Sequence, residues 1–173
     1  RHGAPRVTKP ARILVIDDDP IIRMLASSAL RDVGHQVTEA DSAEAAIELL
    51  DALRPQLILL DLLMPGMGGL AFCAWLRGRP ESSRLPVLVM TALDGDDTIR
   101  QAFDAGASDF IPKPFKPGIL AQRVRFLLRA RDTVRALEAS RRNLHEAQDI
   151  ARLGSWELNR VSGEAICSDG LFK

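Results

Sequence analysis

From residue 11 onward, short apolar runs alternate with longer amphipathic stretches. The runs read ILVI at 13–16, LILL at 57–60, VLVM at 87–90 and, more weakly, FI at 110–111; a half-polar run, QVTEA at 36–40, makes a fifth. Runs this short and this free of polar residues fit strands buried on both faces, as in parallel sheets. Between them, stretches 20–33, 43–53, 69–77, 96–105 and 116 onward place apolar residues at helical spacing. Pro20 stands where a first helical turn tolerates proline, Ser42 where an N-cap belongs, and Gly34 and Gly106 where helices end. Five strand–helix units within about 120 residues predict an α/β fold with a doubly wound, five-stranded parallel sheet. In such sheets the functional site lies beyond the carboxyl ends of the strands.

The fifth helical stretch does not stop where a single domain would end. Between 116 and about 152 the breakers are confined to Pro117 and Gly118. Leu127, Ala130, Val134, Leu137, Arg141, Leu144, Gln148 and Ala151 fall at alternating spacings of three and four, a heptad seam with two polar interruptions. Residues 131–150 are therefore expected to form a coiled-coil-like helical linker. After Gly154 the pattern changes again: SWELNR at 155–160 alternates like a strand, VSGE at 161–164 reads as a turn, and AICS at 165–168 reads as a second strand. A piece this small cannot bury a core of its own, so 151–173 is expected to be the truncated start of a second domain. Residues 1–10, with two prolines and no periodicity, read as a disordered arm, leaving 11–130 as the main domain.

Composition narrows the classes without choosing among them. Of 173 residues, 46% are hydrophobic, 27% charged and 5% aromatic, which is globular and excludes collagen-like, low-complexity and disulfide-scaffold chains. Lys+Arg and Asp+Glu both number 23, so no global field advertises a nucleic acid or an anionic membrane. The balance conceals an asymmetry: residues 1–115 carry 12 basic and 16 acidic side chains, residues 116–173 carry 11 and 7. The eight basic residues against two acidic ones within 116–142 read as a solvated helix face, since no recognition motif or aromatic interleaving accompanies them. Cys73 and Cys167 form no framework and fit a reducing compartment. No apolar run approaches a membrane span and no signal-peptide pattern is present, so the expected location is cytoplasmic.

The strand ends carry the chemistry. The first run leads directly into Asp17, Asp18 and Asp19; the third ends on Asp61, the fourth on Thr91 and the fifth on Lys113. A parallel sheet brings all four ends to one edge. Carboxylates pressed together repel, so such a cluster either holds a divalent cation or shifts its pKa values. His2, His35, His145 and both cysteines stand elsewhere, which leaves oxygen ligands suited to Mg²⁺ or Mn²⁺ rather than zinc. A cation beside a carboxylate, a lysine and a hydroxyl is what phosphoryl transfer onto an aspartate requires.

The motifs ILVIDDDP at 13–20, LILLDLLMPGMGG at 57–69, VLVMTA at 87–92 and AGASDFIPKPF at 105–115 resemble, in order and spacing, a response regulator receiver domain of two-component signalling. The resemblance covers about residues 11–130 and implies a flavodoxin-like fold. It implies that Asp61 is the phosphoacceptor, supplied by a sensor histidine kinase or a phosphotransfer protein. Asp17 and Asp18 match the acidic pair that holds Mg²⁺, with Asp61 and the backbone carbonyl of Leu63 completing the ligands, and Asp19 matches a neighbour of lesser role. Lys113 matches the phosphate-pairing lysine, with a cis bond to Pro114. Thr91 matches the switch hydroxyl, and Phe110 matches the switch aromatic that moves inward with it.

In the family, the residues two after the phosphorylated aspartate and two after the switch threonine flank the hydrolytic water. Here they are Leu63 and Leu93, which cannot hydrogen-bond it, so slow autodephosphorylation is expected. Asp109 and Arg123 match positions that, in one receiver subfamily, pair across homodimers on the face made by the fourth helix, fifth strand and fifth helix. The segment AQDIARLGSWEL at 147–158, with SGE at 162–164, resembles the opening of a PAS domain. The combined expectation is a non-enzymatic receiver feeding a helical stalk, a PAS domain and an output such as a diguanylate cyclase, a cyclic-di-GMP phosphodiesterase or a histidine kinase. Two rival readings remain at this level. One is a haloacid-dehalogenase-type phosphatase using Asp17 and Asp19, which leaves Asp61 and the Met64-Pro65-Gly66 turn unexplained. The other is a docking or dimerisation module that is never phosphorylated.

Overall fold

The computed structural model describes residues 9–92, 96–150, 156–158 and 165–167. In chain order the elements are β1 (Arg12–Ile16), α1 (Pro20–Asp32), β2 (Gln36–Ala40), α2 (Ala43–Leu53), β3 (Leu57–Asp61), α3 (Gly68–Arg77), β4 (Val87–Thr91), α4 (Asp96–Asp104), β5 (Asp109–Pro112), α5 (Pro117–Ile150), β6 (Trp156–Leu158) and β7 (Ala165–Cys167). The first five strands pair in parallel in the order β2-β1-β3-β4-β5. The chain divides into two units, Arg1–Arg129 and Ala130–Lys173.

Alternation along the strands explains why the apolar runs lack polar interruptions. Leu14, Ile16, Ile58, Leu60, Val87 and Val89 project to one side of the sheet, where Ala46 and Leu50 of α2, Phe72 and Leu76 of α3 and Ala102 of α4 cover them. Ile13, Val15, Leu57, Leu59, Leu88 and Met90 project to the other, against Ala26 and Leu30 of α1 and Leu120, Val124 and Leu127 of α5. Both faces are dry, so each residue of β3 and β4 is buried. The outer strands β2 and β5 are only partly covered, which is why their sequences are mixed.

Helix ends follow local chemistry, with one exception. Asp19 caps α1, Ser42 caps α2, and Gly34 and Gly106 adopt positive φ at the ends of α1 and α4. The exception is α2, which closes on Arg54 in the left-handed region, where glycine would be expected. Arg12 of β1 compensates: its guanidinium donates to the carbonyls of Leu53 and Arg54 at 2.9 to 3.2 Å and satisfies the last turn.

The continuous fifth helix is present, and its apolar positions split between two roles. Leu127 is 7% exposed and belongs to the core of the first unit, so it is not available to a heptad seam. Val134, Leu137 and Leu144 are exposed. Gln148 and Ala151, the last two seam positions, lie outside the described side chains. In the second unit, β6 and β7 pair antiparallel, Trp156 opposite Cys167; the expected turn at 161–164 lies outside the described residues, as do residues 1–8 of the expected arm. No helix among the described residues is long and apolar enough to cross a membrane.

At the amino-terminal edge of the sheet, His35 is buried and its Nδ1 accepts the backbone N–H of Ala11 at 3.2 Å. Its Nε2 is buried without a hydrogen-bond partner, and burial holds the ring's pKa below its ordinary value. The folded state thus favours the neutral ring, while the unfolded chain takes up a proton near pH 6.5, about the ordinary histidine value. Stability from this group is complete above that pH and declines as pH falls through it. Thermal melts are expected to show a loss from pH about 7.5 to about 5.5 that His35→Gln reduces; parallel slopes in both proteins would refute the assignment.

Candidate functional site

The sheet order places the ends of β1, β3, β4 and β5 side by side. Asp17 follows the last residue of β1, and its N–H still pairs with the Ala40 carbonyl of β2 at 3.2 Å. Its side chain is wholly buried, with Oδ1 accepting the Asp19 N–H at 3.0 Å and Oδ2 accepting Lys113 Nζ at 2.7 Å. Asp61 closes β3 beside Met90 of β4 and is also buried. The Lys113 ammonium lies 3.1 Å from Asp61 Oδ1, so one cation spans two carboxylates on neighbouring strand ends. Asp18 is exposed at the mouth. Asp17, Asp18 and Asp61 can each present an oxygen such that all three lie within 4.8 Å of one another.

Burial pushes the Asp61 carboxyl above the usual carboxylate range; the Lys113 ammonium and the Leu63 N–H pull it back, and the Asp17 charge pushes it up again. Burial alone would weaken the proton's hold on Lys113, but hydrogen bonds and charge from Asp17 and Asp61 outweigh it, and the lysine pKa rises. Lys113 is therefore held in its charged form at neutral pH. Three carboxylates and one ammonium leave a formal deficit of two positive charges, the charge of one divalent ion. The donors are all oxygen, so the set fits Mg²⁺ or Mn²⁺.

Around this cluster stand the other residues singled out from the sequence. Thr91 closes β4, 2% exposed, and its carbonyl accepts the Lys113 N–H at 2.7 Å. The Lys113–Pro114 bond is cis. The Leu63 side chain is 56% exposed on the loop after Asp61; Leu93 lies outside the described residues. Phe110, half-buried on β5, meets Phe103 of α4 edge-on at 6.2 Å between ring centroids, with the Arg123 guanidinium 6.0 Å from its own ring centre.

Two of the aspartates singled out above have partners of their own. Asp19 does not join the acidic cluster, because its Oδ1 accepts the N–H groups of Ile21 and Ile22 at 2.8 and 3.4 Å as the cap of α1. A phosphatase built on Asp17 and Asp19 loses its second carboxylate for that reason, while Asp61, which that reading leaves idle, lies at the centre. Asp109 and Arg123 pair with each other within the chain at 2.6 Å, beside an open hollow of about 440 Å³ shared with Ile119, Gln122 and Phe126. That hollow lies at the opposite end of β5 from Lys113.

Sequence reasoning missed Arg23. Its Nη1 donates to the Asp17 carbonyl at 2.6 Å and its Nε faces Glu39 of β2 at 3.6 Å, tying α1 and β2 to the acidic turn. An arginine on an amphipathic helix reads as a solvated charge. Only its position, one turn beyond Pro20, hinted that it could reach back to the strand end.

Comparison with known proteins agrees with this geometry. The DNA-binding dual master transcriptional regulator RpaA of Synechocystis is 41% identical over 123 residues, covering 71% of this chain and 51% of that protein. The response regulator PleD of Caulobacter vibrioides is 38% identical over 137 residues, 78% of this chain and 30% of its own length. The chain thus spans about half the length, or less, of these curated relatives. Among solved structures, the signal receiver domain of a signal transduction histidine kinase from Syntrophus aciditrophicus superposes with a TM-score of 0.65 at 35% identity, covering 69% of this chain and 91% of that one. The profile of the response regulator receiver domain matches residues 13–125, and the chain belongs to that family, the receivers of two-component signalling.

Proposed function

We propose that Asp61 is the phosphoacceptor of this receiver and that Asp17, Asp18, Asp61 and the Leu63 carbonyl hold Mg²⁺, with Mn²⁺ as a substitute. The observation that carries this reading is the single ammonium of Lys113 shared by Asp17 and Asp61 in a site still two charges short. The donor is a phosphohistidine on a sensor kinase or phosphotransfer protein. An Asp61 carboxylate oxygen attacks phosphorus, the P–N bond breaks, and the imidazole leaves with its electron pair. A bound Mg²⁺ supplies charge neutralisation on the transferring group. Lys113 is already charged and aimed at Asp61, so it can pair with the phosphoryl oxygens by a short movement rather than by recruitment from solvent.

The Thr91 hydroxyl and Phe110 form the switch. Once phosphorylated, Asp61 presents acceptor oxygens toward the end of β4, and Thr91 turns to donate to them. Phe110 then follows inward from its half-buried place against Phe103. The surface changed by that movement is the one formed by α4, β5 and α5. A homodimer through this face, through the exposed Val134, Leu137 and Leu144 of α5, or through both, would carry the signal into residues 131–150 as a linker. Residues 151–173 are read as the opening of a PAS domain; the antiparallel pairing of β6 with β7 is in keeping with that reading. The receiver itself is a regulatory substrate rather than an enzyme, and it works in the cytoplasm.

Incubation with acetyl phosphate and Mg²⁺ is expected to add the mass of one phosphoryl group to the wild type and none to Asp61→Asn. An adduct that survives in the variant would move the nucleophile elsewhere. Hydrolysis of the phosphoprotein is expected to be slow, because Leu63 offers the attacking water no hydrogen bond. Leu63→Asn should quicken it about fivefold, the value of one net hydrogen bond; a wild-type half-life of seconds, or no change in the variant, would remove that role from Leu63.

A further inference from the structure

The loop between β3 and α3 begins at Leu62 and runs through Leu63, Met64, Pro65, Gly66 and Met67. Its base is closed by the Gly69 N–H donating to the Leu62 carbonyl at 3.1 Å. Gly69 cannot carry a side chain, since a Cβ there would collide with the carbonyl of Asp61 itself. The tip is held from a different element. Glu44, the second residue of α2, reaches across 23 sequence positions, and its Oε1 accepts the Met67 N–H at 2.9 Å. The same carboxylate lies flat against Gly66: a Cβ at that position would meet Oε1 at 2.6 Å and Cδ and Oε2 at 3.2 Å. Gly66 has φ +77°, so the turn itself calls for glycine, and the absence of a side chain there leaves room for the Glu44 carboxylate.

We infer that Glu44 is a positioning residue for the cation site, holding the loop tip so that the backbone at Leu63 is set before the ion arrives. The inference rests on the reading of the Leu63 carbonyl as a ligand. Glu44 is not among the carboxylates of the acidic cluster, so it acts through the loop. A carboxylate at this place also favours the start of α2 by meeting the positive end of the helix dipole. That second role predicts a change in melting temperature alone. Positioning predicts a change in ion affinity that follows the hydrogen bond and not the charge, because the amide oxygen of Glu44→Gln can still accept from Met67 whereas Glu44→Ala has no acceptor.

The test uses the full chain without any phosphodonor. Mg²⁺ is titrated calorimetrically into wild type, Glu44→Gln and Glu44→Ala, and exchange of the Met67 amide is followed in the absence of Mg²⁺. In Glu44→Ala, the Mg²⁺ Kd is expected to rise about fivefold, the order of one lost hydrogen bond, and Met67 exchange to quicken. Glu44→Gln should stay within about twofold of wild type in both. Equal weakening in Gln and Ala would make the effect one of charge and overturn the inference. Faster exchange at Met67 with unchanged Kd would overturn it as well, by confining the bond to local stability. Absence of Mg²⁺ binding in the wild type would instead overturn the cation reading, and this inference with it.

Discussion

One ammonium among three carboxylates sets the terms for the carboxyl edge of the sheet. Like charges about 4 Å apart repel by about 4 kcal/mol at an effective dielectric of 20, so Asp17, Asp18 and Asp61 could not share so small a space unaided. Lys113 relieves the two buried members and leaves the exposed one facing solvent. It does so from the residue after β5, at the far side of the sheet order, 96 residues from Asp17. The edge strand is thereby tied electrostatically to the central strands. Any event that changes the charge at Asp61 is felt first by the residue that leads out of β5 into α5.

The rest of the site consists of backbone arranged so that this cluster can persist. Asp17 uses both carboxylate oxygens, one on Lys113 and one on the Asp19 N–H, while Arg23 holds its carbonyl. Asp19 spends its own carboxylate on the start of α1, an N-cap worth about 1 kcal/mol. Three adjacent aspartates thus have three different tasks, decided by which way the chain turns after β1. The same division leaves Asp18 as the member with the most freedom to meet an incoming ion.

Much of this was legible in the sequence, for identifiable reasons. Runs such as 57–60 and 87–90 read as strands because both sheet faces are covered, and the strand ends then placed Asp61, Thr91 and Lys113 together without further information. The illegible parts are contacts between elements distant in sequence. Arg54 takes a left-handed cap whose carbonyl is met by Arg12, 42 positions earlier. Arg23 and Glu44 look like ordinary surface charges until the turns they hold are folded beside them. Leu127 satisfies a heptad pattern equally well whether it faces a second helix or its own core, and spacing alone does not separate the two.

The ion pair between Asp109 and Arg123 has a thermodynamic meaning for association. A single chain already satisfies both charges, at 2.6 Å and half-buried. Assembly that recruits these residues across an interface must first open that pair, so it exchanges one partner for another and conserves the number of bonds. The net driving force then falls to the apolar neighbours on the same surface, the half-exposed Ile119 and the more open Phe126. An exchange of this kind specifies alignment at little net energy, which suits contacts that must form and dissolve within the lifetime of a signal.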